Sequence, residues 1–127
     1  MTVKLDHTIV LSRSKLSSAL FLSYILGREY GGHFARFAPV QLDDELNIDY
    51  TDTESDDFER RTFTLLVGDA ELDGIVHRLD GEGVPYGSEP EQIGNRRLNG
   101  RGDGRGLFFR DPNGHTFEIS TAAYQVL

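Results

Sequence analysis

The sequence contains no cysteine. That absence excludes a disulfide framework, a thiolate zinc site and a thiol nucleophile. It also has no apolar run near the roughly 18 residues that a membrane helix needs. Met1 is followed almost at once by a strand-like stretch, with no basic region leading into an apolar segment and cleavage site. The expectation is a soluble, cytoplasmic protein with no signal peptide and no membrane partner. Positive charge is scarce: 13 Lys and Arg stand against 21 Asp and Glu, a formal net charge of -8. Binding to nucleic acid needs clustered cations, so this balance argues against it. It suits a neutral or cationic small-molecule ligand, although solubility alone would also account for it. Neither an HExxH pattern nor a Ser-His-Asp order occurs. The Gly-x-Gly spacings around Gly102, Gly104 and Gly106 do not open a helix after a strand, which excludes a dinucleotide-binding loop.

What is present fits one domain over residues 1–127, long enough for a single core. Leu5–Leu11 reads as a strand containing His7. Ser14 suits a helix N-cap, and Leu16, Ala19, Leu20 and Tyr24 follow at helical spacing up to the cap glycine Gly27. Three short strands are expected over Glu29–Phe34, Phe37–Leu42 and Leu46–Thr51. Residues 52–59 are acidic and polar and read as a solvated linker. The order then restarts. Thr62–Val67 reads as a strand, Asp69 as a cap, and Leu72, Ile75, Val76 and Leu79 as a helical stripe ending at Gly81 and Gly83. Val84–Tyr86, Gly106–Arg110 and His115–Thr121 are the remaining strands, the last two joined by the turn Asp111-Pro112-Asn113-Gly114. His7 and Thr62 each precede their cap by seven residues, an offset of 55 in both cases. The reading is α+β: two βαβββ modules, 1–51 and 60–127, forming a mixed-sheet, half-barrel-like concave site.

Equivalent strand positions in the two modules hold His7, Asp49, Thr62 and Glu118. With a strand period of two, Asp49 and Glu118 fall on polar strand faces, and Phe117 and Ile119 point the other way. One imidazole and two carboxylates suit a divalent ion such as Fe(II), Mn(II), Ni(II) or Zn(II), with open positions for substrate. A histidine or carboxylate in a strand is also the pattern of a hydrogen-bonded structural group or a solvated surface. The long loop Gly87–Gly104 suits a lid or binding loop. It carries Arg96, Arg97 and Arg101, with Arg105 just beyond, and such cations can orient a phenolate or carboxylate or simply balance an acidic surface. Arg97 and Arg105 are the substrate-binding candidates among them. Tyr50, Phe63, Tyr86 and Phe109 are candidate pocket walls that core packing would equally explain. His33, His77 and His115 fall at a strand start, on a helix boundary and after the turn.

The stretches Leu5-Asp6-His7-Thr8-Ile9-Val10, Phe21 to Gly27, and Gly104 to Ile119 resemble the vicinal oxygen chelate superfamily of glyoxalases, bleomycin-resistance proteins and dioxygenases. Nearly the whole chain carries the likeness, and the closing strand–turn–strand is its most specific part. Phe37-Ala38-Pro39-Val40 and Leu65 to Asp69 resemble the ChaP-like branch, named for an oxidative enzyme acting on an aromatic polyketide in chartreusin biosynthesis. The resemblance implies His7, Asp49 and Glu118 as ligands of a divalent metal, Fe(II) favoured, with Glu118 also catalytic, and implies a homodimer. Thr62 departs from it, standing where metal-binding members usually place a second histidine. Two activities follow as expectations. One is metal-dependent, dioxygenase-like oxidation of an aromatic small molecule. The other is metal-free sequestration of a small molecule, as in bleomycin resistance.

Overall fold

The computed structural model of the protein describes residues 2–123. It divides into two compact units, Met1–Glu59 and Arg60–Leu127. No helix among the described residues is long and apolar enough to cross a membrane.

The first unit consists of β1 (His7–Ser12), α1 (Lys15–Ile25), β2 (Phe37–Gln41) and β3 (Asn47–Asp52), with strand order β1-β3-β2. β1 runs parallel to β3, so the chain between them must cross over, and α1 supplies the crossover. Ser14 caps α1 as expected, its hydroxyl accepting from the Ser17 amide at 3.3 Å. At the other end Gly27, at φ 73°, lets the amide of Arg28 reach the carbonyl of Ser23 (2.8 Å) and its own amide reach Tyr24 (3.0 Å). These two bonds satisfy carbonyls that the helix itself leaves unpaired.

Two expectations for this unit are corrected. The buried face of α1 is Ser18, Ala19, Leu22, Ser23 and Ile25, whereas Leu16, Leu20 and Tyr24 are about half exposed. Serines and leucines are spread around the helix, so spacing alone does not choose a face; the small serines let it lie close to the sheet. Glu29–Phe34 forms no strand beyond a single bridge from Phe34 to Phe37. Gly31 and Gly32 interrupt it, and Gly32 adopts φ 94°, a conformation that no regular strand uses. The first module is therefore βαββ.

The second unit consists of β4 (Thr62–Leu66), α2 (Asp69–Gly81), β5 (Tyr86–Gly87), β6 (Gly106–Arg110) and β7 (Thr116–Ser120), with order β4-β7-β6-β5. The cap of α2 is Gly68 rather than Asp69; Asp69 and Glu71 lie in the first turn, where negative charge favours the helix dipole. Gly83, at φ 66°, repeats the ending seen at Gly27, with the Val84 amide on the Leu79 carbonyl at 2.9 Å. Leu72, Ile75 and Leu79 are fully buried, as the stripe predicts. Phe117 stacks between Phe63 and Phe109, with ring centroids 5.4 and 5.6 Å away. Burying such a side chain contributes about 1.5–3 kcal/mol. In the β6–β7 turn, Asp111 accepts from the amides of Asn113 and His115. His115 is itself buried, its Nδ1 accepting the Arg61 amide at 3.0 Å.

The two parallel pairings share one frame. His7 lies opposite Asn47 and Ile9 opposite Asp49; Thr62 lies opposite Thr116 and Thr64 opposite Glu118. Each last strand thus places its carboxylate in the same register against the first.

The loop after β5 is pinned by two asparagines. Asn95 accepts from the Ser88 and Arg97 amides and donates to Ser88 Oγ, and Asn99 donates to the Ser88 carbonyl. Gly87 is needed beneath it: a Cβ there would lie 1.9 Å from the Gln92 carbonyl oxygen. We expect Gly87→Ala to cost about 1–3 kcal/mol, because backbone must move to admit the methyl group. Thermal unfolding followed by circular dichroism checks this; an unchanged midpoint would show that the loop is not held as described.

Candidate functional site

In the second unit the sheet face opposite the aromatic core carries, side by side, Thr64 of β4, Glu118 of β7 and Phe108 of β6. Period two puts Ser120 on the same face. Glu118 is buried at 5 % exposure, and its Oε1 accepts the Thr64 hydroxyl at 2.8 Å. A cleft of about 640 Å³ opens over this face, lined by Thr64, Glu118 and Ser120 and by Arg101, Gly102 and Asp103 of the loop. The guanidinium of Arg101 lies over the Phe108 ring, 5.2 Å from its centroid. It pairs with Glu89 and approaches Glu118 Oε2 to 3.8 Å. The cleft therefore combines a buried carboxylate, hydroxyls and a guanidinium that rests on the Phe108 ring: a set able to hold a polar ring substituent and move a proton from it.

The first unit holds the equivalent carboxylate in a different state. Asp49 shares its sheet face with His7 and Ile9, and its Oδ1 is buried without a hydrogen-bond partner. The frame explains this: Ile9 occupies the position where the second unit has Thr64, and a methyl group donates nothing. Burial pushes the Asp49 carboxyl above its ordinary 3.8, partly offset by the charge of His7 and reinforced by that of Asp6. The Asp6 carboxylate bonds His7 Nδ1 at 2.8 Å and thereby raises the imidazole above its ordinary 6.5; desolvation opposes this, and the charges of Asp49 and Asp6 add to it. Holding Nδ1 in this way orients the ring and leaves Nε2 as the nitrogen able to act.

A resident divalent ion needs several such donors turned to one point. Among the described residues no group of three His, Asp or Glu side chains is arranged to hold one. Thr62 is exposed and offers a weak donor, and Glu118 already faces a guanidinium. Within the first unit the pair that fits an ion is His7 and Asp49, and within the second the carboxylate at the equivalent position is Glu118.

The remaining sequence candidates are placed elsewhere. Tyr50 and Phe109 are fully buried in their units' cores, and Phe63 stacks on Phe117. Tyr86 is buried with its hydroxyl donating to Asp80 at 3.0 Å. Arg105 is engaged by Asp69 and Asp73, both at 3.0 Å, and Arg97 is exposed. None of these lines the cleft; of the sequence candidates, Glu118 does. Thr64 and Ser120 are not site candidates in the sequence, and Arg101 stands there as one of the loop cations. Strand period and the repeat offset could have found Thr64 and Ser120, whereas nothing local separates Arg101 from the other loop arginines.

The fold and these paired strand positions define a member of the vicinal oxygen chelate superfamily, to which the chain belongs. Among solved structures, the oxidase ChaP-H2 is 36% identical, with 98% of this chain and 97% of that chain covered and a TM-score of 0.90. The oxidase ChaP-H1 is 33% identical over 98% of this chain and 100% of that chain, with a TM-score of 0.91. The fosfomycin resistance protein FosX from Mesorhizobium loti shares the fold at 18% identity, covering 97% of this chain and 98% of that chain with a TM-score of 0.68. No protein-family model matches the chain, and no curated protein matches it.

The unpartnered Asp49 oxygen yields a pH prediction. A carboxyl whose folded pKa is raised favours its protonated form in the fold, so its contribution to stability falls as pH rises from 3.8 through the folded value. Ile9→Thr supplies the missing donor and should lower the Asp49 pKa. For His7 the slope has the same sign in a higher window: its contribution is complete below 6.5 and is lost as pH rises through the raised value. Asp6→Asn should return His7 toward 6.5. Carboxyl and imidazole titrations by NMR check both, and curves that coincide with the parent protein's would refute the assigned causes.

Proposed function

We propose that the protein is an oxidase that acts on a small aromatic molecule of polyketide type bearing a hydroxyl group, with Glu118 as the acceptor of its proton. The observation that carries this reading is the buried Glu118 on the cleft floor, held by Thr64 and flanked by Phe108 and Arg101. The likeness to two ChaP oxidases over nearly the whole chain supports oxidation as the reaction class. Thr64 fixes one carboxylate oxygen, leaving Oε2 on the side of Arg101. A phenolic hydroxyl placed there gives its proton to Glu118. The resulting phenolate is richer in electrons and is the form that an oxidant such as dioxygen attacks. Low water content around a buried carboxylate strengthens these interactions.

Glu118→Gln keeps the shape and the Thr64 contact but removes the base. It should lower turnover about 100- to 10,000-fold, the usual worth of a positioned general base. Oxygen uptake with a panel of polyhydroxylated naphthalenes and anthraquinones measures this. Tight binding of a panel member by the parent protein with no oxygen consumed would replace the oxidase with the sequestering function expected of a bleomycin-resistance-like protein.

The unpartnered Oδ1 of Asp49 beside His7 favours a second reading, in which His7, Asp49 and Glu118 bind a divalent ion, Fe(II) before Mn(II), Ni(II) or Zn(II), in a homodimer. Anaerobic calorimetry with each ion, on the parent protein and on His7→Ala and Glu118→Ala, tests it. Stoichiometric binding lost in both variants supports it. Affinity no tighter than about millimolar, about 4 kcal/mol, rejects it. Sedimentation of the same sample reports the homodimer.

A further inference from the structure

We propose that Arg101 is the specificity-determining residue of the cleft and that it selects neutral aromatic molecules whose hydroxyl ionises on binding, over molecules carrying a permanent anion. The inference rests on the reading of the cleft as the substrate site and adds what that site accepts.

Among the residues lining the cleft, Arg101 is the cation. Among the neighbouring arginines, Arg96 pairs with Asp80, Arg105 with Asp69 and Asp73, Arg110 donates to the Pro90 carbonyl at 3.2 Å, and Arg97 is exposed outside the cleft lining. The base of Arg101 is fixed. Its amide donates to Asn99 Oδ1 at 3.4 Å, and Asn99 is bridged to Gly106 at the start of β6. Its tip lies over Phe108 with Glu89 on one side and Glu118 on the other. At 3.8 Å the contact with Glu118 Oε2 is an ion pair longer than a hydrogen bond. A guanidinium has five N–H donors in one plane, so it can keep Glu89 and still donate to a ligand oxygen beside Glu118.

Charge decides the ligand class. Glu118 and Asp103 line the cleft against the one guanidinium. A permanent carboxylate or phosphate would add a third negative charge and meet repulsion. A phenol adds none: its O–H bond breaks, the proton passes to a Glu118 oxygen, and the electron pair stays on the phenolate oxygen, which Arg101 then holds. The negative charge moves from carboxylate to ligand, and the total is unchanged. Phe108 beneath the guanidinium supports it, and the planar guanidinium is itself a group on which an aromatic ring can stack. Arg101 thus supplies positive charge beside Glu118 from the chain itself.

The test uses alizarin, a dihydroxyanthraquinone whose visible absorption reddens on ionisation, together with its O-methylated form and an anthraquinone carboxylate. All are titrated with chelator present. The parent protein is expected to bind alizarin in preference to both analogues and to lower its apparent pKa. Arg101→Gln should weaken alizarin about tenfold and raise the pKa of the bound dye by about one unit, the two being the same change in free energy. It should leave the methylated dye unaffected, and Arg101→Lys should restore part of the shift. Ala122→Trp, which fills the cleft, should abolish binding of all three. If Ala122→Trp blocks the dye but Arg101→Gln changes neither affinity nor pKa, the role of Arg101 is overturned and the cleft stands. If the dye fails to bind, or binds equally well to Ala122→Trp, both fall.

Discussion

The parallel pairing of the first and last strands in each unit is the constraint on which the rest depends. A parallel pair cannot be closed by a tight turn, so a helix must cross on one face of the sheet. In the first unit α1 takes that role. The face it covers becomes apolar, with Val10, Ala38, Val40, Ile48 and Tyr50 buried. The opposite face is left to carry His7, Asp49 and their counterparts. The same pairing sets the register and so decides which side chain each carboxylate meets. Shifting β7 by one residue against β4 would turn Glu118 into the aromatic core and Phe117 out of it.

Within that shared frame the two units have diverged in chemistry through single side chains. Thr64 donates to Glu118, and Ile9 donates nothing to Asp49. One carboxylate is anchored and paired with a guanidinium; the other is left with an unpaired oxygen and an imidazole nearby. A carboxylate held between a hydroxyl and an arginine is suited to exchanging a proton with a ligand. One with an unpaired buried oxygen is in a costlier state, which persists because the surrounding strands hold it there.

Element order was largely legible in the sequence because caps and glycines are chemical signals with fixed meaning. Ser14, Gly27 and Gly83 act as their residue types predict. The buried face of α1 was not legible, since serines and leucines are spread around the helix and leave little phase to read. The strand over Glu29–Phe34 failed because apolar and aromatic residues flank two glycines whose backbone freedom outweighs them. At the site, Glu118 was readable from strand alternation, whereas Arg101 required the folded loop. Tyr50 and Phe109 look in sequence like pocket walls, and only burial shows them as core.

The loop that carries Arg101 is bonded through Asn95 and Asn99 to Ser88, Arg97 and Gly106 before any ligand arrives. Its conformational entropy is therefore surrendered during folding rather than at association. A loop ordered in advance leaves a ligand little freedom to reshape the cleft. A pre-ordered loop in general discriminates by shape and charge, where a mobile loop would trade discrimination for breadth. Two asparagine side chains thereby fix the wall of the cleft in advance.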